Sequence, residues 1–134
     1  MRLGFFKRLD GGFIAASWRS GVILDFRHYM LRPGRDGRVG AHLPLREGMK
    51  MSIQAGKSNY STPRMGGLSP YEYESFEVAI FSKHGAWLNP FMEPGMKIKP
   101  WAEHWSEHED VAGWVPAEVV QQIYDDLRES DETG

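Results

Sequence analysis

Tyr71-Glu72-Tyr73-Glu74-Ser75-Phe76-Glu77-Val78-Ala79-Ile80-Phe81-Ser82 is the stretch on which the fold turns. Its side chains alternate between two faces, Tyr71 through Phe81 on one and Glu72 through Ser82 on the other. From Phe76 to Phe81 both faces are apolar except at Glu77. That pattern predicts a strand in the middle of a sheet, because only a central strand buries both sides. One helix complements it. Pro116–Ser130 sets Val119, Val120, Ile123, Tyr124 and Leu127 on a single stripe, with Glu118, Gln121, Gln122, Asp125, Asp126 and Glu129 on the wet side. Pro116 suits the first helical position, where its missing N–H is harmless. The expected fold is α+β: a small, mainly antiparallel sheet with one C-terminal amphipathic helix packed on one face.

Working outward from the central strand, Lys50–Ala55 reads as a brief alternating strand carrying Met51 and Ile53. Ser58–Pro70 reads as a loop, with two prolines, two adjacent glycines and several hydroxyls. Residues 85–100 hold three prolines and two glycines around Trp87, Phe91 and Met92, which predicts a packed irregular loop. Trp114–Val115 is a short final strand. Upstream, Gly21–Phe26 is a β-type run and Arg32–Gly40 a turn-rich linker. Residues 131–134 form a fraying tail.

The chain has 134 residues, which is room for one domain. Hydrophobic residues make up 41% of it, enough for a core. No apolar run approaches the roughly 18 residues that cross a bilayer, so no membrane partner is expected. There is no cysteine, which removes disulfides and thiolate metal sites. The basic start Met1-Arg2-Leu3-Gly4 lacks the continuous apolar region of a secretory signal, so the expected compartment is the cytoplasm.

Net charge is −2, but the two halves differ. Residues 1–50 hold ten Lys and Arg against four Asp and Glu; residues 51–134 hold six against fourteen. The first part is therefore +6 and the second −8. Three explanations stand. The Arg-rich segment 1–50 is an arm that touches nucleic acid or an acidic partner. Or it neutralises the acidic half. Or it lies outside the working product, with Met49 or Met51 as the start and an acidic domain over 51–130. The acidic part itself repels phosphate, so nucleic acid is expected only through residues 1–50. An acidic surface can also imitate nucleic acid and occupy a basic groove on a partner.

Three local patterns bear on chemistry. His104-Trp105-Ser106-Glu107-His108 matches His-x-x-Glu-His, the inverted zinc-protease signature. On a helix His104 and His108 sit one turn apart and share a metal, with Glu107 as general base and Glu118, Asp125 or Asp126 as third ligand. The alternative is a solvated acidic turn with no metal or other cofactor. Second, Pro100 starts a helix on which Trp101 and Trp105 form one ridge, about 40° apart. They either pack on the sheet as core or present an aromatic anchor to a partner protein. Third, Tyr60-Ser61-Thr62-Pro63-Arg64, followed by Tyr71, places an arginine beside hydroxyls and aromatics in a loop. Tyr60, Arg64 and Tyr71 can grip a carboxylate, a phosphate or a peptide, although the same residues are ordinary turn formers. No nucleophile elbow, phosphate-binding glycine loop or dinucleotide fingerprint occurs.

From Met51 onward the chain resembles small bacteriophage-encoded accessory proteins. The resemblance is carried by Ser52-Ile53-Gln54, Tyr60-Ser61-Thr62-Pro63-Arg64, Phe76-Glu77-Val78-Ala79 and Trp114-Val115-Pro116-Ala117-Glu118-Val119-Val120. It covers about the last 84 residues and leaves 1–50 unmatched. It implies a phage or prophage setting in a host cell, and no particular activity. The expectation is a non-enzymatic protein that binds a host or phage protein and inhibits a host defence complex. The alternative is a small metal-dependent hydrolase centred on residues 104–108.

Overall fold

The structure, a computed structural model, describes residues 25–30 and 36–129. Five antiparallel strands form one sheet: β1 (Val39–Pro44), β2 (Lys50–Ala55), β3 (Ser75–Phe81), β4 (Trp87–Leu88) and β5 (Val111–Pro116). β3 is central, as its two-sided apolar pattern requires. β2 pairs with one side of it; β5 and the short β4 share the other side. One helix, α1 (Ala117–Leu127), follows β5 directly. The α+β expectation therefore holds.

Register explains which face is buried. Met51 lies opposite both Leu43 and Ile80, and Ile53 opposite both Ala41 and Val78. Because side chains alternate, one face of three strands is apolar at once. Val120, Ile123, Tyr124 and Leu127 of α1 are buried in the same core. Trp101 and Ala102 reach it from a 3-10 turn at Pro100–His104, and Phe26 and Met30 from another at Phe26–Met30.

The element boundaries differ from the predicted ones for local reasons. β3 starts at Ser75, because Pro70–Glu72 forms a 3-10 turn closed by a capping box. There the Ser69 hydroxyl accepts from the Tyr71 N–H at 3.1 Å, and the Glu72 carboxylate accepts from the Ser69 N–H at 2.8 Å. Pro116 ends β5 with extended backbone (ψ 149°) and caps α1, so the first helical residue is Ala117. The helix stops at Leu127, since Arg128 is already extended. Residues 85–100 are mainly turns. Asn89 ties them down, its amide donating to the carbonyls of Ser106 (2.7 Å) and Glu109 (3.1 Å).

The predicted domain boundary at residue 50 is corrected. It falls at the first residue of β2, inside the sheet. Val39, Leu43 and Leu45 are buried, and the Phe26 ring meets Phe76 edge-on at 5.2 Å. The Phe26 N–H donates to the Gln121 side chain of α1 at 2.9 Å. Residues 25–30 and 39–50 are thus part of the same core as 51–127. The predicted linker Arg32–Gly40 overlaps β1 at Val39 and Gly40, and residues 31–35 lie outside the described residues. So does most of the predicted strand Gly21–Phe26, of which Phe26 opens a 3-10 turn. Ser130 and the tail 131–134 also lie outside them.

Candidate functional site

Helix α1 and the turns at 26–30 and 100–104 all lie on one face of the sheet. Among the described residues no helix covers the opposite face, which presents His42, Ser52, Gln54, Glu77, Ala79 and Phe81. Two aromatic pairs stand along it. Phe81 packs on Trp87 with ring centres 4.6 Å apart, and Tyr60 stacks on Trp114 at 4.8 Å with 26° between planes. Glu77, beside Tyr60, and Phe81 are four residues apart on β3, about 13 Å at the usual strand rise. The small side chains of Ser52 and Ala79 lie between the pairs.

The Tyr60–Trp114 pair is built by the backbone. A register shift sets Phe76 opposite Val115 but Val78 opposite Ala112. Gly113 and Trp114 therefore both face Glu77, which makes a β-bulge. Trp114 takes a left-handed conformation (φ 53°), a region that costs a side-chain-bearing residue roughly 1–2 kcal/mol. Its N–H donates to the Tyr60 carbonyl at 2.8 Å, which holds it there. Gly113 has no alternative: a Cβ would lie 2.8 Å from the Tyr60 Cβ. Tyr60 is held in turn, its N–H donating to the Glu77 carboxylate at 2.9 Å. Asn59 beside it donates to Gln54 at 3.1 Å. The Gly56 N–H donates to the Ser61 hydroxyl (3.2 Å), which closes the turn, and a cis peptide follows at Thr62–Pro63.

Arg64 completes the site, its guanidinium 5.1 Å from the Tyr60 ring centre. Tyr60 thus contacts a guanidinium and an indole at once. Tyr60 is 44% exposed and Trp114 53%. Arginine, tyrosine and tryptophan are the three residue types that dominate binding energy at protein interfaces.

The structure thus brings together Tyr60 and Arg64 and adds Trp114, which the sequence reading placed in a strand without a role. Its signal was faint, a glycine directly before a tryptophan. Tyr71 lies elsewhere. The Arg27 guanidinium sits 5.0 Å from its ring, and Arg27 in turn clasps the Asp25 carboxylate at 2.8 and 3.0 Å. Burial pushes the Asp25 carboxyl up, but the hydrogen bonds from the Arg27 side chain and backbone and its charge outweigh this. The net shift is downward. The hydrogen bond to Asp25 raises Arg27, against a smaller burial effect.

Trp101 and Trp105 are core residues, exposed by 3% and 2%, so neither is a surface anchor. Their indole N–H groups donate to the Asp126 carboxylate (2.7 Å) and the Asp110 carbonyl (3.1 Å). This satisfaction is what lets such large amphipathic rings be buried.

The metal reading of residues 104–108 is corrected as well. It requires His104 and His108 one α-helical turn apart. The 3-10 turn ends at His104, and Trp105 is extended (φ −101°, ψ 148°). His108 points into solvent, its side chain 83% exposed and 3.2 Å from Glu107. Asp126, one of the three candidate third ligands, is engaged by Trp101. Among the described residues no three His, Asp or Glu side chains converge on a metal-sized point. Nor is any described helix long and apolar enough to cross a membrane. Comparison of the chain with known protein families, with curated proteins and with solved structures finds no match.

Proposed function

We propose that this protein is a non-enzymatic accessory protein of the bacteriophage type, acting in the host cytoplasm by binding a host or phage protein. Inhibition of a host defence complex is the role that best suits such a setting. The observation that carries the binding reading is Trp114, a half-exposed tryptophan held in left-handed backbone and stacked on Tyr60, whose ring Arg64 also contacts. The stack is worth about 0.5–1.5 kcal/mol, and the backbone strain removes a similar amount. A half-exposed, ordered aromatic surface suits binding, because it loses little entropy when a partner covers it. The exposed acidic residues Glu107, Glu109 and Asp110, just before the strand that holds Trp114, support the same reading and favour a partner with a basic surface.

The test uses the full chain as bait in bacterial host lysate, beside a Trp114→Gly variant. A protein held at stoichiometric level by the wild type and lost with the variant is the expected result. Recovery of nothing at micromolar bait, or equal recovery with both, overturns the reading.

A further inference from the structure

The Arg64–Tyr60–Trp114 cluster has one open surface. Tyr60 contacts both the Arg64 guanidinium and the Trp114 indole. Trp114 has one face against Tyr60 and is still 53% exposed. We propose that the outer face of Trp114 receives an arginine side chain from a basic segment of the partner protein. The inference rests on the protein-binding reading above and names the chemistry of the contact.

Two observations carry it. First, the cluster already uses this contact, since Arg64 lies over Tyr60 at 5.1 Å. An indole attracts a cation more strongly than a phenol does, and a planar guanidinium stacks better than an ammonium. Second, charge is complementary. Glu107, Glu109 and Asp110, all exposed, lead directly into the strand that holds Trp114. The same acidic field disfavours the rival occupant of an exposed aromatic, a single-stranded nucleic acid base with its phosphates.

The experiment titrates the full, 15N-labelled chain with the blocked peptide Ac-Arg-Arg-Arg-NH2 at low salt and follows the five indole N–H resonances. Trp114 is assigned by its loss in Trp114→Gly. Saturable movement of the Trp114 signal is expected, at least threefold weaker with Ac-Lys-Lys-Lys-NH2. A Glu107→Gln/Glu109→Gln/Asp110→Asn variant should weaken it at least fivefold. An unmoved Trp114 signal at 10 mM peptide overturns the inference. So does equal movement with both peptides, or a stronger response to oligothymidylate. If lysate capture depends on Trp114 while the peptide leaves it unmoved, the arginine inference fails and the protein-binding reading survives.

Discussion

Trp114 and Gly113 show how much a single position can hide from sequence. Tyr60 and Arg64 were legible as binding candidates because they share a loop rich in turn formers and hydroxyls. Trp114 was not, because its left-handed backbone arises from a two-against-one mismatch with β3, and pairing between distant segments leaves no local mark. Replacing Trp114 by glycine removes strain, stacking and the burial of half an indole together, so the net loss of stability should be about 1–3 kcal/mol. Thermal melts would check this, and a large loss would mean that the indole is structural. Gly113→Ala should instead cost about 1–3 kcal/mol, since the new methyl meets the Tyr60 Cβ and not the end of a flexible chain. Its effect on Tyr60 should appear as changed aromatic signals in the proton spectrum. Deep in the core, Trp105→Ala should cost about 3–5 kcal/mol, which chemical denaturation would measure.

At the scale of elements, strong periodicity was readable and weak periodicity was not. β2 matches its predicted span, and α1 shows the predicted buried stripe, with Val119 only half-buried at its margin. β1 went unread because its core residues, Val39, Ala41 and Leu43, alternate with Gly40, His42 and Pro44 beside a glycine- and arginine-rich segment. The signal of a strand was drowned by its turn-like neighbours. This has a testable consequence: a chain shortened to begin at Met49 or Met51 loses an edge strand and five or more buried side chains. It should give a collapsed amide spectrum where the full chain gives a dispersed one. The same scale explains the failed metal motif. Five residues fit the pattern, but a 3-10 turn that ends at His104 cannot repeat side chains every fourth residue. Added zinc should leave the melting temperature unchanged, and protein purified without a tag should carry under about 0.1 metal per chain.

For the molecule as a whole, charge and chain closure set the remaining expectations. The Asp25 carboxyl is held below its ordinary value by Arg27, net of burial. A depressed folded-state value stabilises the fold above the unfolded value, near pH 4, and the contribution fades as pH falls through the folded one. Melts of wild type and Asp25→Asn should therefore differ at pH 7 and converge in acid, as the pH falls through the folded value. A gap that widened in acid would reverse the assignment.

The bond from the Phe26 amide to Gln121 spans 95 residues, and the Phe76 ring that Phe26 meets lies halfway between them. During synthesis the first turn therefore leaves the ribosome long before the helix that latches it. A nascent chain stalled before Gln121 emerges holds the early segment without its lock, and resistance to protease should appear only once the last helix is clear of the exit tunnel. Such late closure also gives the domain many contacts between distant parts of the chain, which places it among slower-folding small proteins.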